Sequence, residues 1–126
     1  CMCVCVCVCV CADVIVYHAA GACIVMNVST RQQRFYLQHT DDVLCLAVNP
    51  RKNTYIATGQ VGETPSVHVW NAQTLETLSV ISGAHHVGVG NVSFSSNGKV
   101  LLSVDLTEEP KVCVHRWQTG IVPAVD

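Results

Sequence analysis

The sequence is poor in charged and in aromatic residues. Only 13% of its 126 residues are Asp, Glu, Lys or Arg, and only 6% are Phe, Trp or Tyr. Nine acidic and seven basic residues give a net charge of −2, so the chain has no overall attraction for nucleic acid or for an anionic membrane. No apolar run reaches the roughly 18–20 residues of a membrane-spanning helix. Half of the residues are hydrophobic, which is enough for one small domain and too little for two cores.

The N-terminus is unusual in two respects. The chain begins at Cys1 rather than at methionine, so we expect a fragment, a processed product or a gene model that lacks its start. Six of the nine cysteines stand at alternate positions from Cys1 to Cys11, separated by Met2 and four valines. The tract has no turn residues, and a Cys-Val repeat is what translation of an alternating T-G sequence produces. We interpret residues 1–11 as spurious; an aggregation-prone strand and a thiol metal site are the alternatives.

The remaining cysteines, Cys23, Cys45 and Cys113, are scattered among apolar residues. Free cysteines in such company behave as small buried hydrophobic residues. Disulfides between closely alternating residues are sterically poor, so the sequence does not predict a secreted disulfide framework. We therefore expect a reducing, cytoplasmic compartment.

The rest of the chain has the periodicity of strands rather than helices. No segment shows a sustained 3.6-residue apolar stripe, whereas short β-rich runs alternate with turn residues such as Asn97-Gly98. The predicted strands are Asp13–Tyr17, Cys23–Asn27, Arg34–Leu37, Val43–Val48, Tyr55–Thr58, Ser66–Trp70, Thr77–Ile81, Gly90–Phe94, Val100–Val104 and Lys111–Trp117. Short strands joined by hairpin-length links predict an all-β meander.

An internal repeat then indicates the architecture. Trp70 and Trp117 lie 47 residues apart, and each follows a histidine, His39 or His86, by 31 residues. Four β elements per repeat at a period near ~40–45 residues are typical of propeller blades. We predict an all-β fragment of a β-propeller that is not closed, with one full blade and parts of two neighbours. The predicted divisions are the tract at 1–11, a partial blade at 12–38, a complete blade at 39–82, an incomplete blade at 83–120 and a tail at 121–126.

These repeats resemble WD40 repeats, through the turn Phe94–Lys99 and the strand Leu101–Asp105 that follows it. In that family a His, a Ser or Thr, an Asp and a Trp form hydrogen bonds that hold the strands of one blade. The resemblance carries this tetrad onto His39, Thr58 and Trp70 in one blade, and onto His85 or His86, Ser103, Asp105 and Trp117 in the next. Gln60 stands where the first of these blades would have its Asp.

A closer resemblance, from Asn27 to Trp117, is to the echinoderm microtubule-associated protein-like family. It is carried by Phe35–Leu46, Ile56–Gly62 and Val67–Trp70, while Asp13–Val28 resembles the end of that family's hydrophobic motif. The resemblance implies a non-enzymatic scaffold that binds tubulin and microtubules in the cytoplasm and cytoskeleton, without a cofactor. Its other partners would be the remaining propeller blades of the parent chain.

Catalytic interpretations are weaker than the structural one. Ser103, Asp105 and a histidine have the residue types of a hydrolase triad, but no nucleophile elbow precedes Ser103 and the blade tetrad explains the same residues. The adjacent Asp41 and Asp42 point apart, so they do not form a carboxylate pair. We predict neither an enzyme nor a bound metal, and neither nucleic acid nor a membrane as a partner.

One basic cluster is the candidate for partner binding. It consists of Arg31, Arg34, Arg51 and Lys52, which would meet the acidic surface of tubulin if they share one rim. A simply solvated face is the alternative for these residues. For the whole chain, the alternative functions are a generic WD40 scaffold without a tubulin role and thiol-metal binding. Because ring closure is missing, we also predict marginal stability for the isolated chain.

Overall fold

The computed structural model describes residues 8–11 and 13–118, and all regular elements in these ranges are β-strands. Within them, no helix is long and apolar enough to cross a membrane. The strands are β1 Val8–Cys11, β2 Val14–Ala19, β3 Ala22–Asn27, β4 Gln33–Tyr36, β5 Val43–Val48, β6 Tyr55–Gln60, β7 Ser66–Asn71, β8 Thr77–Ser82, β9 Val89–Phe94, β10 Leu101–Asp105 and β11 Val112–His115.

The strands form three antiparallel sheets, each of which is a meander in chain order. The first is β1-β2-β3-β4, the second β5-β6-β7-β8 and the third β9-β10-β11. We call them blade 1, blade 2 and blade 3. These sheets confirm the prediction of an all-β, unclosed propeller fragment. Each strand pairs with its neighbour in sequence because the links between strands are short hairpins.

The N-terminal tract contributes a strand to blade 1. Val8–Cys11, which the sequence analysis assigned to the spurious tract, pairs with β2 through Val8 opposite Val16 and Cys11 opposite Val14. Residues 1–7, and with them most of the thiols of the proposed metal site, lie outside the described residues. The described ranges hold no group of three or more His, Cys, Asp or Glu residues that could bind a metal. The predicted tail at 121–126 also lies outside them.

Blade 2 is buried on both faces because its strands alternate between two cores. Ile56 and Trp70 face blade 1, where they pack with Val16 and Tyr36. The intervening positions face blade 3, so that Val69 belongs to the second core. Blades 1 and 3 are the terminal blades of the stack, in keeping with a propeller in which each blade is covered by its neighbours.

The loops of the three blades gather at two opposite rims. At one rim the turn between β2 and β3 meets the start of β5, where Val43 N donates to Ala20 O, and Val61 bridges to Gly88. At the other rim the β5–β6 loop meets the β9–β10 loop, where Asn49 Nδ2 donates to Gly98 O. The fold therefore places all β5–β6, β7–β8 and equivalent loops on the same side.

The turns after β3 and β7 repeat the same geometry. Asn27 and Asn71 each accept, through Oδ1, the backbone N–H groups two and three residues further on. Arg31 and Leu75 close these turns with left-handed φ angles of 61° and 64°. The repeat between blades 1 and 2 is thus visible in backbone conformation as well as in sequence.

Candidate functional site

A buried chain of hydrogen bonds links the strands of blade 2. Trp70 Nε1 donates to Thr58 Oγ1 at 3.1 Å, and Thr58 Oγ1 lies 2.6 Å from His39 Nε2. The other ring nitrogen, His39 Nδ1, lies 2.7 Å from Gln60 Oε1. His39, Thr58, Gln60 and Trp70 are all less than 9% exposed. The structure therefore brings together the three residues assigned to this blade and adds Gln60.

The donors and acceptors fix the state of His39. Gln60 Oε1 can only accept, so His39 Nδ1 carries a hydrogen, and in a neutral ring Nε2 then accepts the Thr58 hydroxyl hydrogen. Burial lowers the pKa of His39, and the hydrogen bond that its Nδ1 donates to Gln60 opposes this effect. A neutral imidazole thus completes the network.

Gln60 takes the place of the expected aspartate without leaving a polar atom unpaired. Its Oε1 also accepts the backbone N–H of Thr40, and its Nε2 donates to Thr40 Oγ1 and Val61 O. An amide can make these donor bonds, whereas a carboxylate cannot. The substitution therefore changes the chemistry of the network but preserves its connection to the loop before β5.

Blade 3 contains a related network of four side chains. Asp105 Oδ1 contacts His85 Nδ1, His85 Nε2 lies 2.7 Å from Ser103 Oγ, and Ser103 Oγ lies 2.6 Å from His115 Nε2. If Ser103 donates to His85 and accepts from His115 Nε2, the other ring nitrogen, His115 Nδ1, carries a buried lone pair and no hydrogen. The reverse arrangement would leave an unpaired N–H there, which costs more.

One assignment from the sequence, Trp117 as the tetrad tryptophan of blade 3, is corrected by this geometry. Trp117 does not contact Ser103; its Nε1 donates to Gly98 O at 2.9 Å, and its ring packs edge-on against Tyr55 and Phe94. His115 takes the position of Trp70, because it lies opposite Leu101 as Trp70 lies opposite Ile56.

Of the two candidate histidines in blade 3, the network contains His85, which is 3% exposed. His86 is exposed and lies outside the network. The 31-residue spacing from His86 to Trp117 therefore does not mark the tetrad, since the pair that meets at Ser103 is His85 and His115. Of the residues that the resemblance assigned to this tetrad, His85, Ser103 and Asp105 meet, and Trp117 does not join them.

The Ser-His-Asp contacts of blade 3 have the connectivity of a hydrolase triad but not its setting. Ser103 and His115 are both 0% exposed, so the hydroxyl has no open path to a substrate. Its lone pairs and hydrogen are already shared with two imidazole rings. In this arrangement the groups join the strands of one blade.

Tyr36 links blade 1 to the network of blade 2, a role that the sequence did not reveal. Its ring stacks on Trp70, with centroids 4.4 Å apart and planes 5° apart. Its hydroxyl lies 2.9 Å from His68 Nδ1 and 2.7 Å from Thr77 Oγ1. The only hint in the sequence is that a tyrosine ends a short strand before His39.

The four predicted basic residues lie on one rim, and two of them tie blades together. Arg34 donates from its guanidinium to Ala72 O and Gln73 O, which are carbonyls of blade 2. Arg51 Nε donates to Ser96 O at 3.1 Å and so links blade 2 to blade 3. Lys52 and Arg31 are exposed on the same rim, Lys52 with its ammonium 4.6 Å from the ring centroid of Tyr55.

Asn49 organises this rim, a role that the sequence did not reveal. The side chain is 3% exposed. Its Oδ1 accepts the backbone N–H groups of Arg51 and Lys52, and its Nδ2 donates to Gly98 O. One amide therefore holds the loops of two blades together.

Gly98 is the partner that makes this contact possible. Its φ of +73° is left-handed, and an added Cβ would overlap Asn49 Oδ1. We expect Gly98→Ala to destabilise the protein by about 1–3 kcal/mol, because the new methyl group adds steric overlap to backbone strain. Thermal unfolding should show a lower midpoint than for Gly83→Ala, since Gly83 has a similar φ of +85° but open space around it. Equal losses in the two variants would contradict the steric argument.

Comparison with known proteins agrees with the fold. A family described as the first β-propeller of echinoderm microtubule-associated proteins matches residues 32–124. Echinoderm microtubule-associated protein-like 4 of Homo sapiens is 40% identical over 115 residues, which cover 82% of this chain and 12% of that protein. Echinoderm microtubule-associated protein-like 2 of Rattus norvegicus is 38% identical over 114 residues, which cover 82% of this chain and 17% of that protein. This chain spans less than a fifth of these relatives, and it belongs to the echinoderm microtubule-associated protein-like family.

Proposed function

We propose that the chain is part of a non-enzymatic scaffold that binds tubulin and microtubules in the cytoplasm. The observation that carries this proposal is the match of residues 32–124 to the first propeller of a microtubule-associated family. The relatives at 38–40% identity bear the words microtubule-associated in their names. The buried polar side chains of blades 2 and 3 form hydrogen bonds with one another, which supports a scaffolding role.

The contact surface we propose is the rim that carries Arg31, Arg34, Arg51 and Lys52. All four are exposed. Within the described residues, the side chains of Arg34 and Arg51 donate to backbone carbonyls, and that of Lys52 donates to a phenol. Positive charge that is not neutralised inside the molecule remains available to an acidic protein surface. Tubulin offers such a surface.

The division of the chain follows from the same proposal. We assign residues 39–82 to a complete blade, residues 12–38 to a partial blade and residues 83–120 to an incomplete blade. The additional partners are then the other blades of a longer chain, which would cover the outer faces of blades 1 and 3.

Co-sedimentation of the complete protein with microtubules tests the proposal. We expect the wild-type protein in the pellet and a several-fold weaker association for the double variant R31E/K52E, since neither side chain ties two blades together. Lys111→Glu, which reverses one charge on the opposite rim, is the matched control for the single variants R31E and K52E. A wild-type protein that stays in the supernatant would favour the generic scaffold without a tubulin role.

A further inference from the structure

The fold separates the charges of the chain between its two rims. Among the described residues, the rim organised by Asn49 carries six of the seven basic residues and two carboxylates, Asp13 and Glu76. The opposite rim carries one cation, Lys111, together with Asp41, Asp42, Glu63, Asp105, Glu108 and Glu109. We call these the basic rim and the acidic rim. The six cations of the basic rim are Arg31, Arg34, Arg51, Lys52, Lys99 and Arg116.

A cleft on the basic rim begins within blade 3 and extends into the junction between blades 2 and 3. It consists of two adjoining hollows of about 400 Å³ and about 290 Å³, which share Asn97, Lys99 and Gln118. Arg116 lines the first hollow, and Arg51 and Lys52 line the second. No carboxylate lines either hollow among the described residues. Four cations thus converge on one open depression.

The walls of this cleft are held in place before any partner arrives. Asn49 fixes the loop of Arg51 and Lys52 against Gly98, and Trp117 Nε1 donates to the same Gly98 carbonyl. Arg51 is further anchored on Ser96 O. Pre-organised loops lower the entropy lost on binding, so this cleft is better suited to a ligand than an equal charge on mobile side chains.

We propose that the cleft binds an extended acidic peptide, with carboxylates at several positions facing Arg51, Lys52, Lys99 and Arg116. Glutamates on alternate residues of an extended chain project from the same side, which suits cations spread along an open groove. Asn97 and Gln118 supply amide groups for the peptide backbone. This inference rests on the proposed function and narrows it, because it specifies an unstructured acidic segment of the partner rather than a folded surface.

A peptide fits the cleft better than a nucleic acid does. Single-stranded nucleic acids are held by bases that stack on exposed aromatic rings. The two aromatic residues of the cleft are not available in this way, since Trp117 is 3% exposed and Tyr55 is half-buried between Trp117 and Lys52. The cleft therefore offers charge and amides but no stacking platform.

Fluorescence anisotropy with a labelled oligoglutamate peptide tests the proposal on the complete protein at low salt. We expect binding that weakens about tenfold or more in the double variant K52E/K99E, and less than about twofold in Lys111→Glu on the acidic rim. Arg31→Glu, on the basic rim but outside the cleft, should resemble Lys111→Glu. The thermal midpoint of each variant reports whether it is folded, and Lys99→Glu alone serves if the double variant is not.

Three results would overturn the proposal. They are no peptide binding by the wild-type protein, equal weakening in K52E/K99E and Lys111→Glu, and tighter binding of a single-stranded oligonucleotide than of the peptide. Microtubule co-sedimentation is measured on the same samples. If the protein pellets with microtubules but does not bind the peptide, the proposal of an acidic-peptide cleft is wrong, while the proposed function stands.

Discussion

Replacing Trp70 by alanine is expected to destabilise the protein by about 3–5 kcal/mol, the range for deleting a buried aromatic side chain. The indole is 0% exposed and forms the centre of the core between blades 1 and 2. Its removal leaves a cavity, exposes one face of the Tyr36 ring and takes a donor away from Thr58. Hydrogen exchange of the β6 and β7 amides in the complete protein should accelerate accordingly.

Two further variants separate the parts of this effect. Trp70→Phe keeps a ring against Tyr36 but loses the N–H, so we expect a smaller loss of about 1–3 kcal/mol. Val80→Ala removes a side chain of blade 2 that is 52% exposed, and it should change the exchange rates little. If Trp70→Ala behaved like Val80→Ala, the indole would not be the centre of this interface.

Acidification is expected to destabilise the protein strongly between pH 7 and pH 5. Burial, followed by the charge of His39, lowers the pKa of His68 to about 3. Burial, followed by the charge of His85, lowers the pKa of His115 to about 4. Burial also lowers the pKa of His18 and His39.

The direction of the effect follows from where the protons bind. An unfolded histidine takes a proton near pH 6.5, while folded His68 and His115 stay neutral down to about pH 3 and 4. Stability is therefore full above about pH 6.5 and falls as the pH decreases towards these folded values. At pH 5, each of these two histidines lowers the free energy of unfolding by about 2 kcal/mol relative to neutral pH.

Thermal unfolding across this pH range measures the effect. His68→Gln should reduce the dependence of the midpoint on pH, because it removes one of the histidines that protonate only on unfolding. His86→Gln removes an exposed imidazole of the same chain and should leave the dependence as in the wild type. An unchanged midpoint from pH 7 to pH 5 would contradict the assignment of neutral buried rings.

The positions of the strands were predictable because alternation and turn residues are local properties. Each of the ten predicted runs corresponds to one strand from β2 to β11, and the turn at Asn97-Gly98 has the left-handed glycine that its sequence requires. Blade 1 also contains β1, because the backbone of the alternating Cys-Val tract can form hydrogen bonds with β2 as any strand does.

The site was predicted less well, because its members are chosen by register between strands. Trp117 lies two residues beyond His115, whose ring contacts Ser103, and only the pairing of Leu101 with His115 shows this. A tryptophan can bury its ring and satisfy its N–H at either place, so its presence alone does not fix the register. The contact between Tyr36 and His68 joins two blades, and no pattern within one repeat reveals it.

The separation of charge was invisible in the sequence for a similar reason. A net charge of −2 describes the sum, whereas alternating strand directions distribute successive loops to opposite rims. Arg51 and Lys99 are far apart in the chain, but they lie on neighbouring loops and line the same hollow.

Opposite charges on the two rims also give the molecule a dipole along the axis of the ring. A partner with a negative surface would turn such a dipole once it comes within a Debye length, about 10 Å at moderate salt. Fewer encounters would then begin with the wrong side foremost, and the rate of productive collision would rise without any new contact. An arrangement that leaves the total charge near zero therefore still determines from which side the ring is approached.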